Sequence, residues 1–491
     1  MLAIYKRELK SYFRSFIGFL FIAVTLFFLG LYFSVYNLMN GYPYFAYVVS
    51  SVTFLFMLTV PILTMRILAE EKRSKTDQLI LTAPVSVGGI VMGKFLALLT
   101  IFAIPVAIIC FYPLIMAQYG SVPMGEAYLS ILAYFLFGMT AIAIGLFLSS
   151  VTESQVIAAV LTFLVLFLGY MMDSICSIIS STGNLLTKLL RCFDLYTPFS
   201  NLLNGTLDVS SIVYYVSVTA LVLFLTVQSI QKRRYSMSVK NLSFSAYSTG
   251  MIAVAVALVV VVNIIMGEMP SGWTAIDMTS QKLYSLTDQT VDYVKNMQDD
   301  VTIYVLVNQD NQDTTLGQTL QRYDDLSDHI TVEYVDPTVN PMFYTQYTTG
   351  NISTNSLIVV SDKRSKVIDY NDVYESSYDF DYSTYSYNTT TTGYDGEGQI
   401  TSALDYVLND DMPKVYMTTG HNELSLSNTF TSALNKENVT YESLNLMDVD
   451  TIPEDAACLF INGATSDFSS DDKDKVIDYL NNGGKVILVT G

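Results

Sequence analysis

Apolar residues fall into seven long blocks before residue 267 and only into short, alternating runs after it. The blocks cover residues 16–36, 44–67, 91–117, 127–150, 155–180, 211–230 and 247–266. A helix needs roughly 20 apolar residues to cross a hydrocarbon core of about 30 Å. The pattern therefore predicts six membrane spans and a seventh. The first is not a cleaved signal, because no small-residue cleavage site follows it and further spans come soon after. Ahead of it, Leu2, Tyr5, Leu9, Tyr12, Phe13 and Phe16 recur at helical spacing, with Lys6, Arg7, Lys10 and Arg14 on the other side. That stripe predicts an amphipathic helix lying in the membrane interface.

The later pattern predicts two α/β units. In the first, Ser285 or Thr287 caps a helix to about Lys295, Val301–Val307 is a strand, Thr314–Asp328 a helix and Ile330–Val335 a strand. In the second, helices at about 400–408, 427–437 and 470–481 alternate with strands at 414–418, 440–446 and 457–461. This order suggests a doubly wound parallel sheet. Residues 370–395 hold seven tyrosines, among them Tyr378, Tyr382, Tyr385 and Tyr387, without a period, and read as a polar loop. The expected organisation is a membrane domain at 1–235, a linker and seventh helix at 236–268, an α/β domain at 269–396 and a second at 397–491. The sequence ends on a glycine turn and a run read as a buried strand, Val486–Val489, so a C-terminal truncation is expected.

Charge divides the chain at the same place. Residues 1–266 carry 15 Lys and Arg against 9 Asp and Glu, whereas residues 267–491 carry 11 against 36. The acidic half disfavours nucleic acid and anionic lipid headgroups as partners, and no nucleic acid is expected. Basic clusters at Lys6–Arg14, Lys72–Lys75 and Lys232–Lys240 fall on one side if every segment crosses. The positive-inside rule then makes the N-terminus cytoplasmic and residues 267–491 extracytoplasmic. Four cysteines without a CxxC pair and two histidines predict no metal site and no cofactor.

One loop carries chemistry of a different kind. Residues 69–86 read Ala-Glu-Glu-Lys-Arg-Ser-Lys-Thr-Asp-Gln-Leu-Ile-Leu-Thr-Ala-Pro-Val-Ser, a short charged helix ending in an apolar patch stopped by Pro84. Such a helix can dock into a groove on a soluble partner. Glu-Glu, basic residues, Thr and then Leu-x-Leu-Thr-x-Pro-Val-Ser resembles the coupling loop of ABC-2 type transporter permeases. The resemblance implies that Glu70, Glu71, Lys72, Arg73, Thr76, Leu79, Leu81 and Pro84 meet a separate ATP-hydrolysing subunit. It also implies a lipid-embedded permease working with a second permease chain, as a homodimer or heterodimer, and mostly as an exporter. Many members of that family have Gly before the Thr; here Lys75 stands there. Gly88–Phe95 nearly fits a phosphate loop, but Phe95 replaces the hydroxyl that would hold magnesium and no strand precedes it. Lys94 is instead expected to anchor at the interface, which leaves ATP hydrolysis to another chain.

The acidic half resembles the auxiliary component of gliding-motility type ABC transporters. The resemblance rests on Asp277-Met278-Thr279, Tyr284-Ser285-Leu286, Asp336-Pro337, Gly396-Glu397, Ile400–Ala403, Thr419-Gly420-His421-x-Glu423 and Gly483-Gly484-Lys485. It implies a permease fused to an outer substrate-handling module, with a Rossmann-like, glutamine-amidotransferase-like sheet. Those relatives often have Gly between the His and the Glu, where this chain has Asn422. His421 and Glu423 follow a strand, where α/β sheets place ligand sites, and are candidate ligand contacts. Catalytic residues are not expected, since Cys458 lies within a strand and not on a strand–helix elbow. The alternative function is an ATP-driven conformational or force-transmitting complex that moves no solute.

Overall fold

The computed structural model describes residues 1–77, 85–179, 187, 190–232, 242–267, 269, 274–279, 282, 285–307, 312–350, 352–381 and 386–490. The chain divides into two compact units, Met1–Ser285 and Leu286–Gly491. The expected limits at 235, 268 and 396 do not coincide with that division. Residues 274–285, expected with the acidic half, belong to the first unit.

The first unit begins with α1 (Leu2–Arg14) and α2 (Phe16–Phe33), separated by extended backbone at Ser15. Next come α3 (Ala46–Thr64), α4 (Arg66–Arg73), α5 (Val87–Ile109), α6 (Tyr112–Met116) and α7 (Met124–Val151). The unit continues through α8 (Gln155–Tyr170), α9 (Met172–Ile179), α10 (Thr197–Leu203), β1 (Thr206–Asp208), α11 (Val209–Lys232), α12 (Leu242–Gly267) and β2 (Ala275–Asp277). Among the described residues, six stretches are long and apolar enough to cross a membrane: Phe16–Met39, Ala46–Arg73, Val87–Met116, Met124–Val151, Val209–Lys232 and Thr249–Gly267. The central helix is α7, where the Phe56 ring lies 5.0 Å from both Phe102 and Tyr134.

The span expected at 155–180 is different. It breaks at Met171 into α8 and α9. With 16 residues, α8 reaches only about 24 Å at ~1.5 Å per residue. The Gly169 carbonyl accepts the Leu195 amide at 3.0 Å, so returning chain takes over a hydrogen bond beside the break. Composition hides this break because the apolar run continues across it.

The second unit opens with α13 (Asp288–Lys295), capped by the Thr287 side chain. Its first sheet holds β3 (Val301–Leu306), β4 (Ile330–Tyr334), β5 (Ser356–Val360) and β6 (Ser365–Ile368) in the order β4-β3-β5-β6. Helix α14 (Thr314–Leu326) connects the parallel pair β3 and β4. The remaining pairs are antiparallel, so this sheet is mixed and not the expected parallel one. A parallel partner needs a crossover of a dozen or more residues, and only residues 361–364 separate β5 from β6.

A short helix, α15 (Tyr370–Val373), leads into β7 (Tyr374–Asp381) and β8 (Ser386–Tyr394). The tyrosine-rich segment is thus an antiparallel hairpin where a loop was expected. The Tyr370 and Tyr374 hydroxyls donate to the Asp313 carboxylate at 2.9 and 3.0 Å, which ties the hairpin's entry to the cap of α14. Helix α16 (Gly396–Leu408) follows. The second sheet contains β9 (Lys414–Thr419), β10 (Thr440–Asn445), β11 (Ala456–Asn462) and β12 (Val486–Val489), with α17 (Asn428–Lys436) and α18 (Ser470–Asn481). All its strands are parallel, in the order β10-β9-β11-β12. Ile487, Leu488 and Val489 are exposed on β12, an edge strand, contrary to the expected burial.

Asn438 and Lys436 join the two sheets. Asn438 donates to the Ser402 carbonyl at 2.8 Å and accepts from Lys366 at 2.6 Å, and Lys436 pairs with Asp395 at 2.6 Å. These contacts cross the boundary expected at 396.

Candidate functional site

Pro61 lies within α3, and the helix breaks at Met65 before α4 begins. The first amides of a helix have no partner within it. Ser149 of α7 supplies one: its hydroxyl accepts from the Leu68 and Ala69 amides at 3.2 and 3.1 Å and donates to the Met65 carbonyl at 3.1 Å. The N-terminal end of α4 is therefore fixed to the central helix.

Its other side is held by a buried charge cluster. Lys94 of α5 has no exposed side-chain surface. Its ammonium donates to the Ile67 carbonyl at 3.0 Å and to Glu8 of α1 at 3.1 Å, and pairs with Glu71 at 2.9 Å. The ammonium is thus met by two carboxylates and a carbonyl. Arg7 joins both acids, pairing with Glu8 and reaching Glu71 at 2.7 Å. Two acids and two bases make the cluster neutral. It also binds three helices together: α1, α4 and α5.

This geometry revises three sequence expectations. Lys94 is not an interfacial anchor; it is the buried centre of the cluster. Glu71, expected to meet a partner, turns inward. Helix α1 does not simply lie at an interface, because Tyr12 is buried and donates to the Leu63 carbonyl at 2.9 Å. The apolar stripe does not reveal Glu8, since a lone acid among four bases reads as part of the polar face. Its position four residues before Tyr12 was the available signal.

The other expected residues separate by exposure. Glu70 pairs with Arg66 within the helix. Lys72 donates to the Val151 carbonyl at 3.1 Å and pairs with Glu153 at 3.5 Å. Arg73, Ser74, Lys75 and Thr76 are exposed. Leu79, Leu81 and Pro84 lie outside the described residues.

The exposed end is a Schellman cap. The Thr76 amide bonds the Glu71 carbonyl at 3.0 Å and the Lys75 amide bonds the Lys72 carbonyl at 3.2 Å. Lys75 sits at φ +55°, a left-handed conformation that favours glycine. This is where many ABC-2 permeases carry Gly. Replacing Lys75 by Gly is expected to stabilise the loop by roughly 1 kcal/mol; a lower melting temperature in detergent would contradict it.

In the second unit, Thr419-Gly420-His421-Asn422-Glu423 leaves β9 between its neighbours β10 and β11. Strand order reverses at β9, which makes this the switch point of the sheet. His421 and Glu423 come together there, but both are buried, with side chains 5% and 6% exposed. The His421 ring stacks on Phe468 at 4.0 Å. Its Nε2 lies 3.3 Å from Asp472 and its Nδ1 3.5 Å from Glu423. The other Glu423 oxygen accepts the His421 amide at 2.7 Å. Contact with a soluble ligand would require this loop to open. Asp472, at the start of α18, was not anticipated because it lies 51 residues from His421.

Burial alone would raise the Glu423 carboxyl, but backbone amide donors and His421 hold it below its ordinary value. The Ser469 hydroxyl, at 2.6 Å, is the main cause holding the Asp472 carboxyl low. Asn422 has φ +55°, a conformation Asn tolerates better than most residues. Among the described residues, no group of three or more His, Cys, Asp or Glu could hold a metal ion.

Comparison with known families gives two matches. Residues 32–230 match the family described as ABC-2 family transporter protein. Residues 280–373 match a domain of unknown function, DUF7088. No curated protein matches the chain.

Proposed function

We propose, from the ABC-2 family transporter domain at residues 32–230, that this chain is the permease of an ABC exporter driven by a separate ATPase. A second permease chain, identical or related, completes the pore. The N-terminus is cytoplasmic, and the acidic second unit works outside as a substrate-handling module of the gliding-motility auxiliary type.

The observation that carries the reading is the mounting of α4. Its exposed Arg73–Thr76 end suits a groove on a soluble partner. Its body is fixed to α1, α5 and α7 by Lys94, Glu71 and Ser149. Force applied at the tip would then reach three helices and not be lost in a flexible loop. Leu79, Leu81 and Pro84 extend the docking surface in this reading.

The chain, affinity-captured from its native membrane, is expected to bring an ATP-hydrolysing partner with it. A variant carrying Arg73→Glu, Lys75→Glu and Thr76→Ala should lose that activity about tenfold or more while keeping its melting temperature, because charges at a docking rim govern association. Undiminished ATPase recovery with the variant would refute the coupling role. ATP-dependent solute movement in reconstituted vesicles separates an exporter from a complex that only transmits force.

A further inference from the structure

We propose that α12 and β2 dock on α11 and β1 and so hold the anchor of the second unit on the membrane bundle without covalent help. The link at 233–241 is then dispensable for assembly. Two independent contacts support this.

The first lies within the apolar helix. Asn263 is an amide in a stretch that is otherwise nearly all aliphatic. An amide in hydrocarbon is costly unless hydrogen-bonded. Its Nδ2 donates to Ser217 of α11 at 3.0 Å and to the Val259 carbonyl at 2.9 Å. Around it, Ile252, Ala255, Val259, Val262 and Met266 are half-buried at alternating spacings of three and four. Helix α12 packs against α11, while Val254, Leu258, Val261 and Ile265 stay exposed. Polar contacts of this kind glue membrane helices together.

The second contact lies just beyond the helix. Strand β2 pairs antiparallel with β1, the strand that enters α11, with Thr206 opposite Asp277 and Asp208 opposite Ala275. The Met278 amide extends the ladder to the Gly205 carbonyl at 2.9 Å. Gly205 has φ +91°, and a β-carbon there would lie 2.7 Å from Thr279. On the same short segment, Asp277 accepts the Thr279 amide at 2.8 Å and the Ser285 hydroxyl at 3.2 Å. A two-stranded ribbon is marginal alone, and so is one interhelical hydrogen bond. Joined on one segment, each raises the effective concentration for the other.

The test cuts the full chain. A protease recognition sequence is placed within 233–241, the purified protein is cleaved in mild detergent, and a tag on the first piece is used for capture. The second piece is expected to stay bound. Asn263→Leu and Met278→Pro should each weaken retention about three- to tenfold, and the double variant should release the piece. With Ser217→Cys and Asn263→Cys, a short bifunctional thiol reagent applied before the cut should join the two segments covalently, which checks their proximity in place of the hydrogen bond. Separation of the unmodified cut pieces, full retention by the double variant, or failure of the reagent to join them would overturn the proposal.

Discussion

Replacing Lys94 by Met is expected to cost more stability than any other single change in the membrane unit, on the order of 3–5 kcal/mol. The substitution preserves volume and adds no polar atom, so the loss comes from what remains. Glu8 and Glu71 keep side chains only 10% and 18% exposed, and the Ile67 carbonyl loses its donor. A buried charge without its partner pays a desolvation penalty that water no longer offsets. Arg7→Ala removes the cluster's half-exposed member and should cost less than about 1 kcal/mol. Adding Glu8→Gln and Glu71→Gln to Lys94→Met should restore much of the loss, because neutral amides remove the uncompensated charge. Thermal unfolding of the purified chain in detergent ranks these variants. Equal shifts for Lys94→Met and Arg7→Ala would mean that the cluster is not buried in the folded protein. The same ranking bears on coupling: Lys94→Met should loosen α4 while leaving its exposed Arg73–Thr76 tip chemically unchanged.

The second large effect is expected at His421. His421→Leu leaves Glu423 and Asp472 buried without the ring between them, a loss of about 3 kcal/mol by the same reasoning. The Phe468 stacking partner is also lost. The pH dependence follows from the carboxyl shifts. Both acids lie below their ordinary values of 4.5 and 3.8 in the folded chain. Groups lowered in this way contribute stability that is present above their unfolded values. It is lost as pH falls through the folded values. The native second unit should therefore weaken on acidification below about pH 4.5. In His421→Leu the buried acids favour protonation, so the deficit should be greatest near neutrality and shrink in acid. Protease resistance of residues 286–490 in the full chain, followed against pH, reads both curves. A deficit independent of pH would indicate lost packing alone.

Much of this architecture was legible in the sequence. Hydrophobic blocks located the long helices because a run of apolar side chains has few other places to go. Thr287, one of the two caps expected for the helix ending near Lys295, does cap α13. The Schellman cap at the end of α4 falls on Lys75 and Thr76, two residues that the local pattern singled out. Parallel pairing in the second sheet also followed from local order, since each strand there is followed by a helix or a long connection.

Tertiary structure decided everything that depends on distant partners. Glu8, Glu71 and Lys94 look like solvated or interfacial charges when read along the chain. Only packing of α1 against α4 and α5 turns them inward, because 86 residues separate Glu8 from Lys94. Asp472 meets His421, and Asn263 meets Ser217, for the same reason. The break at Met171 escaped because continued hydrophobicity does not report a lost backbone hydrogen bond. The sequence by itself determined where the long apolar helices run and where the charge divides. The fold alone determined which charges are buried together, since the energy of a buried ion depends on the partner that three-dimensional packing supplies.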